Sequence, residues 1–469
     1  MLPAGGRVAA GFTSSATTTP EALASVLSTN FRVLRAGWWV LRGVRDLAGL
    51  LRDRDFRQLF LADTISQFGT QITMIAMPLV AVLALHATAF EVGLLAACET
   101  AAFLLVGLPA GAWVDRMRRR VVLVNGDLGR AVLIGSIPVA WWTGVLTMPQ
   151  LYVVAVLAGV LTVFFDVAYQ SYLPHLVGTD KLVEGNSKLQ AVGSVAQLTG
   201  PALGGLLVQW LTAPFAIGLD ALSYLGSAAF VGLIRKREAR VARKPDAHLG
   251  REIAEGLRFV LGNRLLRAIA ACTATANLFG GILTTMLILY LARDLHLAPG
   301  AIGLFLSTFG IGALIGVALV APAARLLGQG PTIWVSILLG GLAGLLIPVG
   351  APGWRLWLAA GGGIVSGVMT VVYNVTQVSY RQALTPDALL GRMNATMRFL
   401  VWGTLPLGGL LGGVLGTVFG VHQALWVGAA GETLAAVPVF FSPLRTQREL
   451  RAETPSPDVP AEPNPVETQ

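Results

Sequence analysis

The chain has 469 residues, of which 54% are hydrophobic and 13% charged. A soluble domain carries about 25% charged residues, so this composition excludes a soluble globular protein, a disordered chain and a collagen. The two cysteines, Cys98 and Cys272, offer no disulfide framework. The net charge of +9 raises nucleic acid as a partner. In so apolar a chain the placement of charge decides more than its sum, and no nucleic-acid partner is expected.

A membrane helix needs about 20 apolar residues. Hydropathy places such segments at 57–84, 90–113, 121–144, 149–172, 188–211 and 213–234. Six more follow at 267–291, 300–323, 331–350, 354–379, 394–417 and 421–442. The expected fold is an all-α membrane protein with twelve transmembrane helices in two pseudo-symmetric six-helix bundles. The expected parts are an extension 1–55, a bundle 56–234, a basic connector 235–266, a second bundle 267–443 and a tail 444–469. Met1 to Thr19 lacks the basic start and apolar core of a signal peptide. Residues 31–53 are open to two readings, an amphipathic helix lying on the inner leaflet or a weakly ordered extension. From Ala452 the tail is Pro-rich and acidic, the composition of a disordered segment.

Orientation follows from Lys and Arg. Arg7, Arg32, Arg35, Arg42, Arg45, Arg52, Arg54 and Arg57 precede the first segment. Arg116, Arg118, Arg119, Arg120, Lys181, Lys188 and the run from Arg235 to Arg267 fall on the same side, whereas the other side holds only Arg293 and Arg355. The positive-inside rule puts both termini in the cytoplasm, and the protein in the plasma (inner) membrane as a multi-pass chain. The halves read as a parallel repeat. Asp180 to Asn186 resembles Asp387 to Asn394, and Thr199-Gly-Pro-Ala-Leu-Gly-Gly205 resembles Thr404-Leu-Pro-Leu-Gly-Gly409.

The strongest local motif is Gly111-Ala-Trp-Val-Asp115-Arg116-Met-Arg118-Arg119-Arg120, between segments 2 and 3. Gly111 permits close packing, and Asp115 can pair with arginines or receive a helix N-terminus. The loop resembles the G-x-x-x-D-R-x-x-R-R signature of the major facilitator superfamily. Phe165-Asp166-Val-Ala-Tyr, Asp220-Ala-Leu-Ser223 and Gly391-Arg-Met-Asn394 resemble its enterobactin-exporter-like and macrolide-efflux-like branch, the transmembrane secretion effectors. The resemblance runs from about Leu50 to Arg448. It implies secondary active export of small molecules, commonly driven by protons. The second-half counterpart of the loop, near Arg325, carries no acid. Segment 5 holds Gly200-Pro201-x-x-Gly204-Gly205, like the core of an antiporter motif, with Ala196 where a glycine is expected. A Gly-Pro pair is equally a packing and kinking device.

Ionisable residues inside membrane helices are costly, so each is a functional hypothesis. Asp63, Glu99, Asp220 and Glu432 are the candidate proton-coupling or substrate-binding acids, since burial favours the neutral form of a carboxyl. Each is alternatively a structural acid bonded to a neighbouring helix. Asp127 and Arg130 share one face of segment 3. With Gly111, Asp115, Arg116, Arg119, Arg120 and Asp166 they form an expected gating network. Second-half candidates are Asn374, Gln377, Asn394 and Arg398. Gln67, Gln71, Gln197, Asn277, Tyr373 and Trp402 are further cavity candidates. No lysine follows a glycine, so no Walker A loop exists. The five histidines are dispersed, so neither metal nor other cofactor is expected, and nothing recommends an enzyme.

The expected function is proton-coupled export of a small amphipathic molecule by alternating access, from a monomer whose partners are the substrate, protons and the bilayer. The alternatives are import of a nutrient or siderophore, and a non-transporting membrane sensor or scaffold.

Overall fold

The computed structural model describes residues 49–114, 116–236, 249–386 and 389–447. The 31–53 amphipathic reading falls mostly outside these residues, as do Asp115, residues 237–248 of the connector and most of the tail. The first half consists of α1 (Arg54–Leu79), α2 (Ala89–Val114), α3 (Arg119–Trp142), α4 (Met148–Val177), α5 (Leu182–Leu211) and α6 (Ala213–Gly232). A connector helix, α7 (Leu249–Gly262), precedes the second half. That half comprises α8 (Arg264–Leu289), α9 (Pro299–Leu327), α10 (Gln329–Gly344), α11 (Trp354–Ala383), α12 (Leu390–Trp402), α13 (Thr404–Val418), α14 (Val421–Leu434) and α15 (Val437–Phe440).

Ten helical stretches among the described residues are long and apolar enough to cross a membrane, with α12 and α13 counted as one. The ninth and twelfth predicted segments are shorter than expected. α10 has 16 residues and ends in the glycine-rich run Gly340-Gly341-Leu-Ala-Gly344. The last segment breaks after the 14 residues of α14. Both lie at the same places in the chain as the predicted spans.

The halves repeat each other in local detail. Asp53 caps α1 through Oδ1, which accepts from the N–H groups of Asp55 (2.8 Å) and Phe56 (3.0 Å). Asn263 caps α8 in the same way, accepting from Leu265 (2.9 Å) and Leu266 (3.2 Å). Such side chains satisfy N–H groups that the first turn leaves unpaired. Each of these helices ends in a π turn, Val80–Ala84 and Tyr290–Asp294. Each π turn is followed by a histidine at φ 52°, His86 and His296. A non-glycine residue in this region is uncommon. Its occurrence at matching places shows that one backbone design has been used twice.

The two halves meet through glycines. On the α2–α13 crossing a Cβ on Gly93 would lie 2.5 Å from Gly413 Cα and 2.6 Å from the Gly409 carbonyl oxygen. On the α5–α9 crossing a Cβ on Gly205 would lie 2.9 Å from Gly303 Cα and would also strike the Pro299 carbonyl. Small residues let backbones approach closely where no water is squeezed out. Polar contacts reinforce this end. Gly300 N–H donates to Gln209 Oε1 (3.1 Å), Ala202 N–H donates to Ser307 Oγ (3.1 Å), and Arg293 Nη2 reaches the Val82 carbonyl (3.4 Å).

The apolar core is consequently asymmetric along the helices. At the end away from residues 54 and 447, one cluster joins both halves, with Met77, Leu79 and Ile217 packed together with Leu283, Met286 and Ile302. At the end bearing residues 54 and 447 the clusters are separate. One holds Phe56, Leu123, Tyr172 and Ile234 of the first half, and the other Val260, Ile269, Tyr380 and Leu444 of the second. The halves therefore close at one end and part at the other.

Gly205→Leu places a branched side chain against the Gly303 backbone. It is expected to lower the melting temperature of the detergent-purified protein clearly. An unchanged melting temperature would show that this crossing does not need a glycine.

Candidate functional site

The first half is organised around one buried cation. Arg130, on α3, is 3% exposed, and Asp127 is fully buried. Three residues apart on a helix, the two side chains meet in an ion pair. Ser227 of α6 donates to Asp127 Oδ2 (2.7 Å). The Arg130 guanidinium lies over two rings, Phe165 of α4 at 4.3 Å and Tyr224 of α6 at 4.4 Å. The Tyr224 hydroxyl meets Thr70 Oγ1 of α1 (3.2 Å). One guanidinium therefore ties three helices through its ion pair and the faces of two aromatic rings, and the Tyr224–Thr70 hydrogen bond extends the cluster to α1.

Asp220 sits beside this stack and is also fully buried. It accepts from Thr73 Oγ1 (2.5 Å) and Ser223 Oγ (2.8 Å). Gly69 makes room, since a Cβ there would strike Ser223 Oγ and the Asp220 carboxylate. Asp127 and Asp220 thus have hydrogen-bond donors on both carboxylate oxygens.

Asp63 differs. It is 8% exposed on α1 and faces Gln67 and Tyr169 of α4. Its Oδ2 and the Tyr169 hydroxyl are both buried without a hydrogen-bond partner. Asp166, half-buried on α4, lies within electrostatic reach of Asp63, Arg130 and Arg398. In the second half Thr273 occupies the tenth position of α8, as Asp63 does in α1. There the hydroxyl of Tyr373 meets Thr273 Oγ1 at 2.6 Å. The same helix pair carries a hydroxyl–hydroxyl contact in one half and a carboxyl facing a phenol hydroxyl in the other.

Arg398 of α12 projects between the halves, over Phe103 of α2 (5.6 Å) and Trp402 (5.4 Å). Phe103 and Trp402 themselves lie 4.9 Å apart. Glu99, half-buried, is one turn from Phe103 and so shares its face of α2. Glu432 of α14 stands inside the second bundle, with Oε2 buried and unpartnered. It lines a cavity of about 250 Å³ together with Asn277 and Asn374. Gln377 is 3% exposed, and its Oε1 has no partner. Asn394 is half-buried near the start of α12.

The expected gating residues fall into two groups. Asp127, Arg130 and Asp166 lie deep in the bundle. Arg116, Arg119 and Arg120 lie at the turn between α2 and α3, where Arg120 donates to the Gly232 carbonyl at the end of α6. Asp115 lies outside the described residues, and Gly111 closes the last turn of α2. In the α5 motif, Gly200 and Gly204 face Gln71 and Ile72 of α1, while Gly205 faces the other half. Pro201 contributes a carbonyl to the Gly303 contact.

Several site residues escaped sequence reasoning, namely Thr70, Thr73, Tyr169, Tyr224 and Ser227. Ser223, Tyr224 and Ser227 carried a signal, because at spacings of three, four and seven they share the Asp220 face of α6.

A family profile described as transmembrane secretion effector matches residues 47–467. The chain belongs to this family of major facilitator transporters. It is 28% identical over 397 residues to the multidrug efflux pump Tap of Mycolicibacterium fortuitum, covering 82% of this chain and 95% of that one. It is 26% identical over 355 residues to the enterobactin exporter EntS of Citrobacter koseri, covering 72% and 80%. Among solved structures it is similar to the nucleoside transporter NupG, with a TM-score of 0.68 at 13% identity, covering 82% and 98%. It is also similar to a bacterial homologue of the iron transporter ferroportin in an inward-facing state, with a TM-score of 0.65 at 18% identity, covering 82% and 98%. At these identities the structures establish the fold. The chain is a multi-pass membrane transporter of small molecules and not an enzyme.

Arg130→Ala leaves Asp127 buried without its cation. Breaking a buried pair in this way costs about 3–5 kcal/mol. Melting of the detergent-purified protein is expected to shift down clearly for Arg130→Ala, and less for the pair Asp127→Asn with Arg130→Met.

Proposed function

We propose that the protein is a proton-coupled exporter of small amphipathic molecules working by alternating access. The observation that carries this reading is the buried Asp63 carboxyl facing the Tyr169 hydroxyl, in a bundle whose halves are parted at the terminus-bearing end. Asp127 and Asp220 are satisfied by fixed donors and serve as structural anchors. Asp63 has a buried oxygen with no partner, so it is the acid free to exchange a proton. Glu99, on the Phe103 face of α2 that looks toward α12, is the second candidate acid.

The positive-inside pattern makes the terminus-bearing end cytoplasmic, so the described state is open to the cytoplasm. Protonation of Asp63 removes a charge from the neighbourhood of Asp166, Arg130 and Arg398. Arg398 belongs to the other half, so this neutralisation changes the electrostatic balance between the halves. The glycine crossings at the opposite end supply the surface on which the halves rock. A proton crossing the membrane releases about 2.3 kcal/mol per 100 mV, roughly a fifty-fold concentration ratio. That suffices for export without nucleotide hydrolysis. A single chain carries both halves, so the transporting unit is a monomer. The similarity to efflux and siderophore-export proteins supports the outward direction.

The test uses inverted membrane vesicles energised to be acidic inside. Erythromycin, ethidium and an iron-free catecholate siderophore are added in turn, and loss of the proton gradient is followed. At least one compound is expected to discharge the gradient with the native chain. Asp63→Asn is expected to abolish that response, and Tyr169→Phe to reduce it several-fold. Transport of a compound without proton movement would overturn coupling. A full response in Asp63→Asn would remove Asp63 from the mechanism.

A further inference from the structure

The two halves place opposite charges in equivalent regions, on different members of an equivalent helix pair. Arg130 is the twelfth residue of α3, and Gly340 is the twelfth residue of α10. Tyr224 is the twelfth residue of α6, and Glu432 is the twelfth residue of α14. The helices α6 and α14 start from matching places. The capping residues of α6 and α14, Thr212 and Gly420, share an unusual backbone conformation, with φ 71° and 96° and ψ 156° and 155°. The packing matches as well. Arg130 lies against Phe165 of α4, and Gly340 faces Met369 of α11, whose Cβ is 3.1 Å from where a Gly340 Cβ would stand.

Where the first half has a guanidinium over a phenol ring, the second has a glycine and a carboxylate. The space released is the cavity of about 250 Å³ that Glu432 lines with Asn277, Asn374, Tyr373 and Ile337. Gly280 widens it at the position where the first half has Thr70. A Cβ on Gly280 would lie 3.1 Å from Glu432 Oε1. Glu432 Oε2 is buried and unpartnered, and no protein cation reaches Glu432 in an ion pair among the described residues. A lone carboxylate in a membrane bundle is costly unless it is paired. A bare proton would neutralise it without needing space. A cavity several times the roughly 30 Å³ that one water takes up fits a larger partner.

We propose that this cavity of the second bundle binds the cationic head of an organic molecule, a guanidinium or alkylammonium group, with Glu432 as its counter-ion. The head occupies the place that Arg130 fills in the first half. Asn277 and Asn374 supply the uncharged polar lining, and the Tyr373 ring is available to the cation as the Tyr224 ring is to Arg130. Asn277 Nδ2 already donates to the Val401 carbonyl (3.0 Å), which leaves its Oδ1 to accept from a ligand N–H. The inference concerns binding and stands apart from the coupling and direction proposed above.

The test reads binding to the detergent-purified full chain by calorimetry. The probes are phenethylguanidinium and its uncharged counterpart phenethyl alcohol, at constant ionic strength. The cation is expected to bind at least tenfold more tightly than the alcohol. Glu432→Gln is expected to remove that preference while the melting temperature and elution volume stay those of a folded protein. Asp63→Asn is expected to leave the preference intact, which separates this site from the proton-coupling acid. Gly340→Arg supplies an internal guanidinium and is expected to block the probe. Equal binding of the two probes, binding of neither, or a preference that survives Glu432→Gln overturns the proposal.

Discussion

A charge inside a membrane bundle must find its partners within the protein. That constraint organises the first half of this transporter. The Arg130 guanidinium has a carboxylate from its own helix and aromatic faces from α4 and α6. Tyr224 and Ser227 carry the arrangement on to α1 and α6 through hydrogen bonds. Removing any member exposes the others to a medium that cannot solvate them. The cluster therefore acts as a rigid unit, and the half that contains it can move as one body.

Rigidity within a half is useful only if the halves can move against each other. Their contact is built from a different material. Backbone touches backbone at Gly93 with Gly413 and at Gly205 with Gly303. Few side chains interlock at these points, so little rotamer rearrangement opposes a change of angle. The shared apolar cluster at one end and the separate clusters at the other are the static imprint of that design. The acid proposed for coupling, Asp63, stands toward the parted end. Asp63 has an oxygen without a partner, whereas Asp127 and Asp220 do not. The same residue type thus meets different surroundings according to how many donors lie within reach.

The internal repeat sharpens this division. Caps, π turns and left-handed histidines recur in both halves, so the backbone has been held in common. The interior chemistry has diverged. Tyr373 faces Thr273 where Tyr169 faces Asp63, and Glu432 with Gly340 replaces Tyr224 with Arg130. One bundle holds its own cation, and the other holds a carboxylate beside a cavity. A pseudo-symmetric transporter can in this way separate structural charge from functional charge.

Much of this was legible in the sequence. Low charge and long apolar runs dictate a helical membrane protein, because no other fold satisfies backbone groups in lipid without forming a closed barrel. The Lys and Arg asymmetry, the Gly111 to Arg120 loop and the repeated glycine motifs identified the superfamily. The intramembrane acids were visible as candidates because such residues are rare and costly. The sequence by itself could not rank them, since hydropathy fixes which residues enter the membrane but not the rotation of each helix about its axis. Tertiary structure made that choice. It surrounded Asp127 and Asp220 with donors, left Asp63 and Glu432 each with an unpaired oxygen, and broke the last segment into two short helices. It also brought Tyr169 and Tyr224, which look like ordinary apolar-face aromatics in one dimension, against a carboxyl and a guanidinium. Partners far apart in the chain meet only when the bundle closes, and a local pattern of spacing carries no record of them.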